Sequence, residues 1–373
     1  MTRPIVITGG GTGGHIFPML AIADALVVEG MDPTALQLVG SRRGQEGRLL
    51  GGLPYGVTLL PGRGLRRSLS LRAVAQNLGA VASLWGALAA AIGYTLRWRP
   101  SAVVSLGGYA AAPMALAAVA LRRPLVLVDL DAVPGAVHRW LGPFAARRLV
   151  PFGTSAGRVV VTGVPVRQAL VHLDRSNEAR RSARLAFRPP IDERRTVIVV
   201  MTGSLGSARV NSAVLELARR WSARDDLTLV HVTGRRDAAR VRAAVPPPSA
   251  LDYRLIEFAD IGQLWAVADA AICRAGATTV AELAALAIPA VLVPLPGAPG
   301  DHQARNAARV CEAGGAVIVA DETCDGAHLA DALAPLLDPE RRATMARAMG
   351  TLGRPEAPRD IARVVLAAAR RAR

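Results

Sequence analysis

A glycine-rich turn near the start of the chain carries the first residues that could do chemistry. Residues 5–18, IVITGGGTGGHIFP, join an apolar run to a G-x-G-x-x-G pattern. Glycine lets the backbone approach a phosphate closely, and the amides of Thr12, Gly13 and Gly14 can point at it. His15 follows directly and could serve as a general base or as a donor to a phosphate. The turn predicts phosphate chemistry, although a ligand-free strand-to-helix turn fits the same weak pattern.

A second set of polar side chains follows an apolar run in the C-terminal half. Residues 273–296, CRAGATTVAELAALAIPAVLVPLP, place a small-residue turn before a helix. Ala277 permits close approach, and Thr278 and Thr279 can cap the helix and bind a phosphate. Glu282 could accept hydrogen bonds from two sugar hydroxyls, and the alternative is a solvated helix residue. The pattern favours a ligand that carries both phosphate and sugar.

Two further positions carry groups suited to such a ligand. Residues 297–310, GAPGDHQARNAARV, supply His302 and Gln303 at a loop that enters a helix, where donors and acceptors suit a sugar. The same residues also make an ordinary helix N-terminus. Arg167 could reach a diphosphate as a bidentate donor, or could be one surface arginine among 45 basic residues. No metal-binding motif is present, so the sequence predicts sugar transfer without a metal.

The elements that must position these groups form a doubly wound α/β fold. Short strands that are apolar on both faces alternate with helical patterns, which is typical of a parallel sheet covered on both sides. The alternation restarts in the second half, which opens with VIVVMTGSLGS as the first opens with PIVITGGGTGG. We predict two Rossmann-like domains facing across a cleft, 1–165 and 166–349, and a C-terminal helical segment, 350–373, that crosses back to the N-terminal domain.

Composition limits the classes of partner. The formal net charge of +16 favours phosphate-bearing ligands, anionic membrane surfaces or nucleic acid. Nucleic acid is disfavoured because 4 Tyr and 5 Phe in 373 residues provide few stacking platforms. An NADP-dependent oxidoreductase stays open, since Arg42 and Arg43 could accept a 2'-phosphate, but it leaves the second glycine turn unexplained. The absence of a C-x-x-C pair and of a signal peptide favours a reduced cytosolic setting.

One apolar segment could contact a membrane. Residues 78–96, LGAVASLWGALAAAIGYTL, only just reach the length of a membrane span, so spanning is disfavoured. The segment predicts either a buried alanine-rich helix or a helix whose apolar stripe touches a bilayer while nearby arginines meet anionic headgroups. The stripe would comprise Leu78, Val81, Leu84, Trp85 and Leu88, and the arginines would be Arg63, Arg66, Arg67 and Arg72.

Seven motifs follow one another over most of the chain. They are GGGTGGHIFP, SLGGYAAAP, AVPGAVHRWL, TGVPVR, TGSLGSARVN, CRAGATTVAELAALAIPAVLVPLP and DHQARNA. This ordered set resembles the MurG-type N-acetylglucosaminyltransferases of glycosyltransferase family 28, which convert lipid I to lipid II in peptidoglycan synthesis. The resemblance implies a GT-B fold, UDP-N-acetylglucosamine as donor and an undecaprenyl-pyrophosphate-linked acceptor, attacking with inversion through its C4 hydroxyl. It also implies no metal or other cofactor and a peripheral position on the cytoplasmic face of the plasma membrane.

The resemblance also assigns roles to individual residues. By the family pattern, Thr12 and His15 lie near the acceptor and diphosphate, Arg167 and Ser204 near the diphosphate, Ala277, Thr278 and Thr279 along the diphosphate turn, Glu282 on the ribose, His302 and Gln303 on the sugar, and Phe258 and Ala259 beside the uracil. The implied mechanism has a base that takes the proton of the acceptor hydroxyl while the turn amides and Arg167 stabilise the departing UDP.

One segment departs from this pattern. Where the family commonly reads His-Glu-Gln-Asn, this chain has Val128–Asp131 within LVLVDLDAVPG. Asp131 puts a carboxylate where a pyrophosphate-bearing lipid should dock, and it could act as the base, alone or with His15. The sequence therefore leaves open a diverged enzyme of the same type that uses a UDP-sugar with a different acceptor.

Overall fold

The computed structural model describes six stretches of the chain, with only the backbone described between residues 71 and 82. The stretches are 3–10, 13–42, 49–61, 71–203, 206–257 and 259–371. The chain divides into two compact units, which we call the N-terminal unit (Met1–Arg167 with Arg354–Arg373) and the C-terminal unit (Gln168–Gly353). The boundaries predicted from the sequence, at 165 and 350, lie within a few residues of these.

A parallel sheet forms the centre of the N-terminal unit. Its seven strands in the described stretches are β1 (Ile5–Thr8), β2 (Leu36–Ser41), β3 (Gly56–Leu60), β4 (Ala102–Ser105), β5 (Leu125–Val128), β6 (Arg147–Val150) and β7 (Val159–Val161). They lie in the order β3-β2-β1-β4-β5-β6-β7, and all neighbours are parallel. β1, β4 and β5 are buried along their whole length, which explains why their residues are apolar at successive positions rather than at alternate ones.

Helices cover this sheet and complete its core. They are α1 (Gly13–Val28), α2 (Leu71–Trp98), α3 (Gly108–Ala120) and α4 (Ala136–Leu141). Ala87 and Ala91 of α2, Met114 of α3 and Leu141 of α4 share one buried cluster with Val103 of β4. Small side chains let the helices approach closely, so a chain with few aromatic residues still fills its interior.

The apolar segment singled out in the sequence lies in α2. Across the described stretches, no helix combines the length and apolar character that crossing a membrane requires. Ala87, Ala91 and Thr95 are buried on one face of α2, whereas Trp85 is 68% exposed and Leu96 is 56% exposed. The helix therefore has a buried alanine face together with exposed apolar side chains. Arg63, Arg66 and Arg67 lie outside the described residues, as do the side chains of Arg72, Leu78 and Val81.

The C-terminal unit repeats the arrangement. Its six strands in the described stretches are β8 (Thr196–Met201), β9 (Leu227–Val232), β10 (Asp252–Ile256), β11 (Ala270–Cys273), β12 (Ala290–Leu292) and β13 (Ala316–Ile318), parallel and ordered β10-β9-β8-β11-β12-β13. Its helices are α5 (Gln168–Val171), α6 (Asn177–Ala186), α7 (Ala208–Arg220), α8 (Ala238–Ala243), α9 (Ile261–Val267), α10 (Ala277–Ala285), α11 (His302–Glu312), α12 (Gly326–Leu337) and α13 (Pro339–Gly350). Both sheets follow the doubly wound order, so the predicted fold class is confirmed.

The last helix, α14 (Ala357–Arg370), belongs to the N-terminal unit. Its buried side chains include Ile361 and Val365, and it packs against α1. Arg359 Nε donates to Glu29 Oε1 at 2.7 Å, and this guanidinium holds the pKa of Glu29 below its usual range. The N-terminal unit is thus completed by residues from the far end of the sequence.

Candidate active site

Two glycine turns meet at the carboxyl edge of the N-terminal sheet. Thr8, the last residue of β1, pairs in register with Ser105, the last residue of β4, so the turns that follow these strands lie side by side. The Leu106 amide donates to the Thr8 carbonyl oxygen at 2.9 Å. Gly108 adopts a φ of +76°, and a β-carbon there would come 3.6 Å from the carbonyl oxygen of Gly10. The positive φ, rather than a lack of room for a side chain, explains the glycine at position 108.

His15 lies beside these turns in the first turn of α1. Gly13, Gly14 and His15 are partly exposed, and α1 begins at Gly13. A β-carbon at Gly108 would lie 3.7 Å from His15 Nε2, which puts the imidazole against the β4–α3 turn. The first amides of a helix have no partner within it and carry partial positive charge, so this end of α1 favours an anion. Thr12 lies outside the described residues.

Arg167 reaches the same helix. Its guanidinium carbon lies 4.2 Å from the centroid of the Phe17 ring, which is a cation–π geometry. The Phe17 ring in turn lies over Gly13, where a β-carbon would come 3.3 Å from Cε2. Arg167 therefore brings a permanent positive charge to the first turns of α1, where it adds to the attraction of the helix N-terminus for an anion.

Asp131 lines a cavity at the edge that follows β5. The cavity has a volume of about 250 Å³. Its walls are Asp129, Asp131, Ala132, Pro134, Arg148, Val150, Pro151, Phe152, Thr154 and Val159. Two carboxylates and one guanidinium therefore line the cavity, and polar atoms form most of its surface. The segment that departs from the expected sequence pattern forms part of this cavity.

A buried hydrogen-bond network adjoins the cavity, and the sequence analysis missed it. His138 Nδ1 lies 2.7 Å from Asp129 Oδ1, and Arg148 Nε donates to Asp129 Oδ2 at 2.7 Å. On the other side of the imidazole, His138 Nε2 lies 3.0 Å from Ser105 Oγ, and the Gly107 amide donates to that oxygen at 3.3 Å. Ser105 and His138 are 33 positions apart in the chain, and no local pattern in the sequence pairs them.

The second set of predicted residues lies at the carboxyl edge of the C-terminal sheet. β11 ends at Cys273, and α10 places Ala277, Thr278 and Thr279 in its first turn, all partly exposed. Glu282 is only 8% exposed, and its Oε2 accepts a hydrogen bond from the indole Nε1 of Trp265 at 3.2 Å. The solvated alternative for Glu282 is therefore wrong, because the carboxylate is held inside the unit.

The start of α11 lies against the same turn. Gln303 Oε1 accepts from the Leu295 amide at 3.0 Å, and Asn306 Nδ2 donates to the Ala275 carbonyl oxygen at 3.1 Å. These bonds join α11 to the loop after β12 and to the turn before α10. The structure thus gathers six predicted residues at this edge: Ala277, Thr278, Thr279, Glu282, His302 and Gln303.

Arg274 links the loops at the carboxyl edge of the C-terminal sheet through hydrogen bonds, a role that was not predicted from the sequence. Its Nη1 donates to the carbonyl oxygens of Val293 and Pro294, each at 3.1 Å, and its Nη2 donates to Ser207 Oγ at 2.7 Å. The guanidinium also pairs with Asp321 at 2.6 Å. One cation therefore ties the loop after β12, the N-terminus of α7 and the loop after β13. An arginine directly after a buried strand, in CRAG, was the available signal.

The remaining predicted donor contacts are only partly described. Ser204 and Phe258 lie outside the described residues. Ala259 precedes Asp260, whose carboxylate caps α9 by accepting from two backbone amides. α9 also carries Trp265, the partner of the predicted ribose carboxylate, so one helix connects the predicted uracil and ribose positions.

Two further observations concern other ligands. Arg42, proposed for an NADP phosphate, donates from Nε to the Leu59 carbonyl oxygen at 3.1 Å, while Arg43 lies outside the described residues. Among the described residues, no three or more His, Cys, Asp or Glu side chains are grouped so that they could hold a metal ion. Neither observation identifies a reaction by itself.

Comparison with known families covers both halves of the chain. The glycosyltransferase family 28 N-terminal domain matches residues 5–150, and the family's C-terminal domain matches residues 197–361. A relative from Alkalilimnicola ehrlichii is 38% identical over 381 residues, which cover 99% of this chain and 100% of the relative. A relative from Salinibacter ruber is 38% identical over 383 residues, covering 99% and 98%. Both are named UDP-N-acetylglucosamine--N-acetylmuramyl-(pentapeptide) pyrophosphoryl-undecaprenol N-acetylglucosamine transferase.

Solved structures agree with this comparison. MurG of Acinetobacter baumannii matches with a TM-score of 0.76 and 25% identity, covering 98% of this chain and 100% of the other. The calicheamicin glycosyltransferase CalG4 matches with a TM-score of 0.64 at 17% identity, which shows the shared GT-B fold alone. These matches do not favour the NADP alternative, since both domains are those of glycosyltransferases. The chain belongs to glycosyltransferase family 28 and, within it, to the MurG-type N-acetylglucosaminyltransferases.

Proposed function

We propose that this glycosyltransferase transfers N-acetylglucosamine from UDP-N-acetylglucosamine to the C4 hydroxyl of lipid I and so forms lipid II for peptidoglycan. Lipid I is an undecaprenyl-pyrophosphate-linked N-acetylmuramyl-pentapeptide. The observation that carries the proposal is similarity along the full length, because a relative named for this reaction is 38% identical over 99% of the chain and 100% of its own.

The C-terminal unit supplies the donor contacts in this proposal. The amides and hydroxyls of the first turn of α10 bind the diphosphate. Trp265 holds one oxygen of Glu282, and this orients the carboxylate to accept from the ribose hydroxyls. The oxygen of Gln303 is engaged by the Leu295 amide, so its NH₂ group supplies the donor to the sugar, next to His302.

The N-terminal unit supplies the proton acceptor. The acceptor C4 oxygen attacks C1 of N-acetylglucosamine from the face opposite UDP, and the bond from C1 to the diphosphate oxygen breaks with its electron pair left on UDP. His15 takes the hydroxyl proton. Arg167, Ser204 and the helix-terminal amides stabilise the negative charge on UDP, which makes a metal unnecessary in this scheme. A single displacement of this kind inverts the configuration at C1.

In this proposal, Asp131 affects the binding of the acceptor. Within the cavity, the formal charges of Asp129 and Arg148 offset each other through their ion pair. The carboxylate of Asp131 then leaves the charged lining with one negative charge more than positive. We propose that His15 accepts the proton and that Asp131 influences which acceptor is bound. The Asp131→Asn variant separates these two roles.

A peripheral position on the cytoplasmic face of the plasma membrane is part of the proposal. Trp85, Trp140 and Phe144 expose large aromatic side chains in the N-terminal unit. Their close neighbours in sequence, Ala87, Leu141 and Ala145, share one core cluster. Exposed tryptophans suit the interface of a bilayer, and a net charge of +16 attracts anionic headgroups.

Co-sedimentation with anionic vesicles tests this part. Trp85→Ser combined with Trp140→Ser should weaken binding, and so should the reversal of Arg66, Arg67 and Arg72 to Glu. Leu185→Ser, at an exposed leucine of the C-terminal unit, is the matched control and should bind like the unaltered protein. Binding that neither set of substitutions changes would contradict membrane association through the N-terminal unit.

A transfer assay tests the reaction itself. Purified protein is incubated with UDP-N-acetylglucosamine and a short-chain lipid I analogue, with and without EDTA, while UDP release and product mass are followed. We expect addition of one N-acetylhexosamine at a rate that EDTA leaves unchanged. Binding of UDP without transfer would overturn the acceptor assignment and point to an enzyme with another acceptor. Absence of UDP binding would overturn the donor assignment as well.

A further inference from the structure

A chain of buried hydrogen bonds runs from the cavity wall to the β4–α3 turn. It leads from Arg148 through Asp129, His138 and Ser105 to the amide of Gly107. Ser105, His138 and Asp129 are 0%, 2% and 4% exposed. A buried polar group without a partner is costly, so each bond of the chain constrains its neighbours.

The direction of each bond follows from the chemistry of its ends. The Asp129 carboxylate can only accept, so His138 carries its proton on Nδ1. Its Nε2 then accepts from the Ser105 hydroxyl, whose oxygen accepts from the Gly107 amide. With a neutral imidazole every member is satisfied, and the charges of Asp129 and Arg148 offset each other.

The order of serine, histidine and aspartate is that of a nucleophilic triad, but the burial argues against nucleophilic chemistry. Such a triad needs a serine oxygen that a substrate can reach. Here Ser105 is fully buried, and its oxygen already accepts a backbone amide. This chain of hydrogen bonds therefore has a structural role rather than a nucleophilic one.

The hydrogen-bond chain stabilises the β4–α3 turn, which lies against His15. Gly107 and Gly108 both have a positive φ, of +83° and +76°, which residues other than glycine rarely adopt. A β-carbon on Gly107 would lie 3.5 Å from His138 Nε2, and one on Gly108 would lie 3.7 Å from His15 Nε2. One imidazole thus lies near each of the two glycines, so the two-glycine segment stands between His138 and His15 in the structure.

We propose that Asp129, His138 and Ser105 form a positioning unit that fixes His15 through the Gly107–Gly108 turn. That His15 acts on the acceptor rests on the proposed function, whereas the mechanical coupling of the two imidazoles does not. None of the three residues bonds the substrate in this proposal, because both oxygens of Asp129, which lines the cavity, are held by His138 and Arg148.

The test compares two variants, each of which removes a hydroxyl group that is hydrogen-bonded to a buried imidazole. Ser105→Ala removes the partner of His138 Nε2, and Tyr253→Phe removes the hydroxyl that lies 2.7 Å from Nδ1 of His231 in the C-terminal unit. The first readout is the ring ¹H–¹⁵N spectrum of His15, assigned by the loss of its signals in His15→Gln. Ser105→Ala should shift the His15 signals, and Tyr253→Phe should leave them unchanged. Unchanged His15 signals in folded Ser105→Ala protein would overturn the proposal.

The second readout separates this proposal from the proposed function. Ser105→Ala should lower kcat about tenfold through loss of orientation, while KM for UDP-N-acetylglucosamine changes by less than about twofold. Shifted His15 signals in an enzyme that transfers no sugar would retain the positioning unit and reject the proposed function. If Ser105→Ala does not fold, Asp129→Asn, which keeps an oxygen for His138, should shift the same signals by a smaller amount. No shift in either folded variant contradicts the coupling.

Discussion

The carboxyl edges of the two sheets share a strand order but are held in different ways. In the N-terminal unit, Asp129 links a guanidinium to an imidazole and, through a serine, to a glycine turn. In the C-terminal unit, Arg274 donates directly to the carbonyl oxygens of one loop and to the hydroxyl that caps α7. The first edge depends on several side chains bonded in series, whereas at the second Arg274, Gln303 and Asn306 each bond the loops separately. Similar folds can therefore respond differently to substitution near their sites.

The two edges also differ in how their functional groups are distributed along the chain. The C-terminal edge takes its predicted donor contacts from two short segments, 277–282 and 302–303. The N-terminal edge combines His15 with a network whose members come from four separate elements or loops. Substitutions at the two edges should therefore affect different steps of the reaction.

The largest expected effect belongs to His15. His15→Ala should lower kcat by about a thousandfold, since general base catalysis contributes about 10²- to 10⁴-fold. The dissociation constant of UDP should change by less than about threefold, because the proton acceptor contributes little to binding of the leaving group. Steady-state rates and UDP calorimetry measure the two, and His172→Ala, at an exposed histidine, is the control. Parallel losses of kcat and UDP affinity would make His15 a phosphate ligand instead.

The next largest effect compares the two arginines. Arg274→Met should lower the free energy of unfolding of the C-terminal unit by about 2 kcal/mol, because two carbonyl oxygens and Ser207 lose their donor, while Asp321 keeps its ion pair with Arg209 at 3.5 Å. Arg148→Met should cost the N-terminal unit about 3 kcal/mol, because Asp129, whose side chain is 3% exposed, is left with His138 alone and without the arginine. Hydrogen exchange resolved by segment in increasing urea measures each unit separately. Equal losses would contradict the difference between the edges.

Acid should weaken the C-terminal unit through His231. Burial lowers the pKa of His231 to about 3. Its unfolded pKa is about 6.5, so the unfolded state binds more protons below that pH and stability falls as the pH drops from about 6.5 towards 3. Between pH 7 and pH 5 the loss should approach about 2 kcal/mol. Urea unfolding followed in the C-terminal unit measures this, and His231→Gln should flatten the dependence. The same slope in that variant would assign the effect to other groups.

A smaller effect concerns the donor. Glu282→Gln should raise KM for UDP-N-acetylglucosamine about tenfold, because hydrogen bonds to a charged group contribute about 1.5–3 kcal/mol and the amide keeps only part of them. kcat should change less than KM. Trp265→Phe removes the indole donor but keeps the carboxylate, so it is the matched control and should raise KM by a smaller factor. A fall in kcat at constant KM would move Glu282 away from the ribose.

The smallest expected effect concerns the acceptor. Asp131→Asn removes one negative charge from the cavity and should lower KM for the lipid I analogue about threefold, as expected for a partly exposed charge. kcat should stay within about twofold of the unaltered enzyme, because the proton goes to His15. Initial rates at varied acceptor concentration measure both constants. Collapse of kcat in this variant would make Asp131 the base.

Local patterns in the sequence were sufficient to predict the fold. Strands such as β1 and β5 are buried on both faces, so their continuous apolar runs predict a parallel sheet directly. The group of residues that follows β11 could also be predicted from the sequence, because Ala277, Thr278, Thr279 and Glu282 occupy adjacent turns of one helix. Helical periodicity alone brings these side chains together.

The side chains that link the loops at the two sheet edges could not be predicted in the same way. Ser105, Asp129, His138 and Arg148 come from separate elements or loops. The register of β4, β5 and β6, together with the position of α4, brings them together. Arg274 bonds backbone carbonyl oxygens, which any residue type provides, so its partners leave no mark in the sequence. Long-range pairs and contacts to the backbone both require the folded chain.

The assignment of the donor to the C-terminal unit and of the acceptor to the N-terminal unit is tested by finding which unit each substrate protects from hydrogen exchange. Hydrogen exchange is measured with UDP-N-acetylglucosamine alone and with the lipid I analogue alone. We predict that the nucleotide sugar slows exchange in 277–285 and 302–312, and that the analogue slows exchange in 129–141. Protection of 129–141 by the nucleotide sugar, with none in 277–285, would contradict the assignment of the donor to the C-terminal unit and of the acceptor to the N-terminal unit.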